Sequence, residues 1–186
     1  MSIKKNKLFN PKADDSISKR RIIKGESTGL FNLGEVKYPW TKQMYQIMVG
    51  NFWVPEKVSG LGDDAIQYGK LTDDERRAYK GIISFLTFLD SIQTVNLPNL
   101  SDFITSSDVN LLLSIQSFQE AIHSQSYTTV LETVVDSKER NDIYYYWRDD
   151  EVLLKRNEYI GNIYQRFLDE PSDENFFAAL VGNFLL

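Results

Sequence analysis

A chain of 186 residues with a formal net charge of −5 has the length of about one domain, and its apolar (42%) and charged (25%) fractions are those of an ordinary globular protein. That charge gives no electrostatic footprint for nucleic acid, and no run of residues is long and apolar enough to read as a membrane span. The absence of cysteine excludes disulfides, thiolate metal sites and cysteine nucleophiles, and the single histidine excludes a two-histidine metal triad within this chain.

Residues 1–37 read as a flexible N-terminal arm. Gly25, Gly29 and Gly34 interrupt a polar stretch, and basic residues gather in Lys4-Lys5-Asn6-Lys7 and Lys19-Arg20-Arg21. No apolar segment of signal-peptide type follows them, so the expected compartment is the cytoplasm, with neither nucleic acid nor membrane as partner. Residues 38–186 read as one helical domain. Pro39 opens a short amphipathic helix with Trp40, Met44, Tyr45, Ile47 and Met48 on its apolar side. Pro55, in Phe52-Trp53-Val54-Pro55-Glu56, argues against helix there.

Thr72-Asp73-Asp74-Glu75 is a capping box, and a long helix is expected from it through Asp90, ending before Pro98. Ser106-Ser107-Asp108 caps a second long helix carrying Leu111 through Val134. A short connection makes the two antiparallel neighbours. A charged, aromatic helical region starts at Lys138-Glu139-Arg140, and an amphipathic helix follows over Asp149–Phe167, stopped by Pro171. Ser172 or Asp173 caps a last apolar helix that reads to Leu186 with no basic final turn and no glycine cap, as an interrupted helix reads.

The chemistry concentrates in two places. Asp90 follows the apolar run Phe85-Leu86-Thr87-Phe88-Leu89, and a carboxylate buried there needs a hydrogen bond, an ion pair or a metal. Alone it reads better as an edge aspartate held by a neighbouring amide such as Gln93. Glu120 and His123 form Glu-x-x-His, with Tyr127 one turn beyond, so a carboxylate, an imidazole and a phenol share one helix stripe. A solvated Glu–His pair and a core tyrosine are the plain alternatives. Antiparallel packing brings Asp90 towards the pair, which gives one half of the ferritin-like donor pattern. A carboxylate-dominated site with one imidazole points to iron or manganese before magnesium or calcium.

Three segments, Asn51-Phe52-Trp53-Val54-Pro55-Glu56, Leu89-Asp90-Ser91-Ile92-Gln93 and Glu120-Ala121-Ile122-His123-Ser124-Gln125-Ser126-Tyr127, resemble the small, radical-generating β subunit of class I ribonucleotide reductase. The resemblance runs from Tyr38 onward. It implies an all-α, ferritin-like helical bundle that is incomplete, with the C-terminal half missing. It implies Asp90 and His123 as terminal ligands of one metal ion, and Glu120 as a bridge to a second ion in a dinuclear iron or manganese centre that reacts with oxygen. Tyr127 would hold the stable tyrosyl radical, and Trp53 would relay electrons. A larger catalytic subunit would carry the nucleotide and the cysteines this chain lacks, and complete β units would pair as homodimers.

In the family, a second half supplies further glutamates, another Glu-x-x-His and a docking tail. The chain is therefore expected to be one part of a split protein that needs a separate C-terminal piece, or an inactive truncated product. Another ferritin-like dimetal oxidase and a helical interaction module without activity are the competing readings.

Overall fold

The computed structural model describes residues 2–184. Seven α-helices make up its regular structure: α1 (Pro39–Gly50), α2 (Leu61–Tyr68), α3 (Asp73–Ser101), α4 (Ser107–Val134), α5 (Ser137–Asp149), α6 (Glu151–Asp169) and α7 (Asp173–Phe184). Among the described residues there is no strand, only two isolated bridges, Ser2 with Ser172 and Ile23 with Ile104. Nor is any helix long and apolar enough to cross a membrane. The expected all-α class is what the chain adopts. The end of the expected last helix, Leu185 and Leu186, lies outside the described residues.

The caps fall where short polar side chains can accept backbone N–H groups. Thr72 and Glu75 form the reciprocal box, the Thr72 N–H donating to Glu75 Oε2 at 2.8 Å and the Glu75 N–H to Thr72 Oγ1 at 3.4 Å. Asp136 accepts from the Lys138 N–H at 2.8 Å to start α5, Asp150 accepts from Val152 and Leu153 to start α6, and Ser172 Oγ accepts from the Asn175 N–H at 3.2 Å to start α7.

Three elements depart from the sequence expectation. Helix α3 does not end before Pro98 but runs through it to Ser101. A proline has no N–H for the carbonyl four residues back, here that of Thr94. The Ser117 hydroxyl donates to that carbonyl at 3.5 Å, and the chain is rejoined beyond the proline by the Asp102 N–H on Pro98 O at 3.1 Å. Ahead of α3, Pro55–Lys57 makes a 3-10 turn and α2 follows, neither of which the periodicity predicts. Proline suits the first position of such a turn. Helix α2 is only eight residues long and starts from Gly60, whose φ of 91° a side chain would strain.

The chain packs as two compact units. One comprises Met1–Phe52, Thr94–Gln119 and Ile163–Leu186, the other Trp53–Gln93 and Glu120–Asn162. In the first, Phe103, Phe167 and Phe176 stack edge to face, with ring centroids 5.0 and 5.6 Å apart, and Leu97 and Leu100 are fully buried. The non-helical 2–37 segment is tied to this unit: the Asn6 N–H donates to Asp102 O at 2.7 Å and the Thr105 N–H to Ile22 O at 2.7 Å. Arg20 is buried, its Nε donating to Asp15 O at 2.7 Å.

In the second unit Tyr68, Leu131, Val134, Val135 and Ile143 form the core. Helix α5 is fixed to α3 there by the Trp147 N–H donating to the buried Ser84 hydroxyl at 2.9 Å and by a Lys80–Glu139 ion pair at 2.5 Å.

The Phe167 ring has no exposed surface and two aromatic neighbours, whereas Phe177 is 50% exposed. Phe167→Ala is expected to cost about 3–5 kcal/mol of unfolding free energy and Phe177→Ala no more than about 1 kcal/mol, measured by urea titration.

Candidate metal centre

All the residues singled out in the sequence lie in the second unit. Helix α3 supplies Asp90, next to the buried Leu89, and α4 supplies Glu120, His123 and Tyr127 from one stripe. Asp90 and Glu120 are largely withdrawn from solvent, with 13% and 11% of their side chains exposed, and His123 is at 38%.

The donor atoms converge. His123 Nδ1 lies 3.1 Å from Glu120 Oε2 and 3.5 Å from Asp90 Oδ2, and all three residues offer ligand atoms within 4.8 Å of one another. Two donors bound at about 2.1 Å to one ion, at right angles, stand about 3 Å apart, so this spacing suits a shared cation. The Tyr127 phenol donates to Asp90 Oδ2 at 2.7 Å. The neighbour that holds the Asp90 carboxylate is thus a phenol one turn beyond the histidine.

Burial sets the electrostatics. It pushes the Asp90 carboxyl above its usual range, while the Tyr127 hydrogen bond and the His123 charge pull the other way without cancelling it. Burial raises the Tyr127 phenol still more, aided by the hydrogen bond to Asp90 and the charges of Asp90 and Glu120. The cluster gathers two carboxylates and one imidazole within reach of a single point, and a donor set of that kind suits iron or manganese.

Trp53 stacks on the imidazole from the far side in sequence. Its ring lies 6.1 Å from His123, centroid to centroid, with 28° between the planes, and it remains 40% exposed. Four residues on α4 and α3 and one from the loop before α2 are therefore brought together. One contact escapes any spacing rule: Gln125 Nε2 donates to Glu56 Oε1 at 2.8 Å across 69 positions. Glu56 stands in a motif the sequence marks out, but nothing in its residue type names Gln125 as its partner.

The family described as "Ribonucleotide reductase, small chain" has a model that matches residues 30–186. The ribonucleoside-diphosphate reductase subunit beta of Treponema pallidum (strain Nichols) is 45% identical over 184 residues, covering 99% of this chain and 52% of that protein. The subunit of the same name from Aquifex aeolicus (strain VF5) is 43% identical over 180 residues, covering 96% of this chain and 26% of that protein. A solved structure, the ribonucleotide reductase R2 subunit from Clostridium botulinum, matches with a TM-score of 0.93 at 44% identity, over 99% of this chain and 57% of that one. The chain belongs to the ribonucleotide reductase small-chain family and has its ferritin-like helical fold. It spans about half the length of the Treponema and Clostridium relatives and about a quarter of the Aquifex one.

A carboxyl whose folded-state pKa is raised holds its proton more tightly in the native chain, so its contribution to stability is present at acid pH and is lost as pH rises through that pKa. Asp90 is such a group. Asp90→Asn keeps an oxygen for Tyr127 and removes the charge. The metal-free variant is expected to unfold at higher urea than the parent at neutral pH, with the difference closing as pH falls into the carboxylate range.

Proposed function

We propose that this chain is the part of a ribonucleotide reductase β subunit that holds one side of a dinuclear iron or manganese centre and carries the tyrosine to be oxidised. The observation that supports this most directly is the convergence of Asp90, Glu120 and His123, with the Tyr127 phenol hydrogen-bonded to Asp90. Asp90 and His123 would be terminal ligands of one ion, and Glu120 would bridge it to the second. When bound, the centre supplies the oxidising power, drawn from oxygen, to take one electron from a phenol.

The rest of the chemistry falls to the side chains. Burial and the hydrogen bond to Asp90 push the Tyr127 phenol above its usual range, so it is protonated at rest, and oxidation to a neutral radical would release that proton as well as the electron. Asp90 Oδ2, 2.7 Å from the phenol oxygen, is placed to take that proton. Tyr127 is only partly buried, so a radical held there by this chain alone would be open to quenching. Trp53, stacked on His123 with one side open, would pass electrons between the centre and a partner at the surface.

Reduction of a nucleotide 2′-hydroxyl by a radical route needs a thiyl radical and a reducing thiol pair. This chain has no cysteine, so a larger catalytic subunit would bind the nucleoside diphosphate and supply the thiols. The reading includes a homodimer of complete β units and a cytoplasmic setting. The remaining donors for the second ion would come from the length the relatives possess beyond the matched region, whether joined to this chain or assembled with it.

Mixing the chain with the unmatched portion of a relative, loading ferrous iron without air and then admitting oxygen should give a tyrosyl signal in electron paramagnetic resonance. Tyr127→Phe is expected to abolish that signal while leaving the iron content unchanged. A signal that survives Tyr127→Phe, or its absence from a verified iron-loaded complex of the parent, would count decisively against the assignment.

A further inference from the structure

Trp53 stands on an extended stretch rather than a helix, since Val54 has φ −135° and ψ 144°. Its ring contact is the His123 imidazole, and 40% of the residue faces solvent. A tryptophan side chain has several staggered rotamers, and the stacked position is one of them. Three residues on, the same segment is tied down: Glu56 Oε1 accepts from Gln125 Nε2 at 2.8 Å. The link between the two anchor points is stiff. Pro55 is buried and fixes its own φ, and the Lys57 N–H on Val54 O at 3.1 Å and the Val58 N–H on Pro55 O at 3.0 Å close the turn. On α4, His123 and Gln125 are two positions apart and leave the helix roughly 200° from one another. The 53–56 segment therefore grips α4 at two points on different sides, which fixes both its distance from the helix and its rotation.

We propose that Glu56 and Gln125 are positioning residues, and that their hydrogen bond holds the Trp53 indole over His123. The inference rests on the reading of Trp53 as an electron relay, because only a relay requires the ring to stay in one place beside a metal ligand. Neither side chain reaches the reacting atoms. Their effect is on how much of the time the indole is stacked.

The test uses the full chain, metal-free, labelled with 5-fluorotryptophan and followed by fluorine NMR. The sequence has three tryptophans; Trp53→Phe assigns its signal, and His123→Ala gives the position of the unstacked ring. Glu56→Ala is expected to move the Trp53 signal towards that position, with roughly a three- to tenfold fall in the ratio of stacked to unstacked ring. Gln125→Glu, which sets two carboxylates face to face, should do the same. Glu56→Gln retains an accepting oxygen and should hold the parent position, and the exchange Glu56→Gln with Gln125→Glu should restore it with donor and acceptor reversed. Trp40 and Trp147 serve as internal controls. A Trp53 signal unmoved by Glu56→Ala, an exchange that fails to restore it, or equal movement of all three signals would overturn the proposal. The readout needs neither metal nor oxygen, so an intact response in a chain that gives no radical would count against the proposed function alone.

Discussion

Asp90 and Glu120 bring two carboxylates to the same imidazole nitrogen in a place where water reaches little of either. At separations up to 4.8 Å and the effective dielectric of a protein interior, like charges repel by about 3 kcal/mol or more. The Tyr127 phenol donates a hydrogen bond to Asp90 Oδ2 at 2.7 Å, and His123 Nδ1 lies 3.1 Å from Glu120 Oε2. Burial raises the Asp90 carboxyl, and the Tyr127 hydrogen bond and the His123 charge only partly offset it. A divalent cation changes the sign of the whole cluster, because each carboxylate then faces a charge it is attracted to. On the proposed function, a bound cation would attract both carboxylates and offset the cost of burying them.

Holding such a cluster requires stiff supports, and the two long helices provide them. Helix α3 is fixed at its start by the reciprocal Thr72–Glu75 bonds and against α5 by the Ser84–Trp147 and Lys80–Glu139 contacts. Helix α4 carries a run of hydroxyl residues around the site, and these turn inward on their own helix. Ser126 Oγ donates to Ile122 O at 2.6 Å, and Thr129 Oγ1 to Gln125 O at 3.1 Å. Their polar groups are satisfied locally and do not compete for the carboxylates.

Much of this is legible in the sequence because it depends on local rules. Glu-x-x-His with a tyrosine four residues on is a helix stripe by periodicity alone, and the capping residues mark the helix starts within a residue or two. Other features are not local. Helix α3 runs through Pro98, and the Ser117 hydroxyl that meets the Thr94 carbonyl comes from α4, which no window around the proline contains. Helix α2 is bounded by glycines, has few inward residues beyond Ala65 and Tyr68, and owes its place to tertiary packing. The stacking of Trp53 on His123 and the Glu56–Gln125 bond join segments far apart in the chain, which residue spacing does not encode.

The number of donors carries the reasoning one step further. Asp90, Glu120 and His123 are the only cluster of this kind among the described residues. Three side chains can occupy about half of the six positions iron or manganese commonly fills, so one ion is within their reach with water completing its shell. Two ions are not, unless a shared carboxylate is joined by donors from elsewhere. The chain matches 52% of the length of its Treponema relative. On the proposed function, the balance of the donors belongs to the length that the match leaves uncovered. The cluster described here would then be a site already shaped for one cation and waiting on further carboxylates for the second.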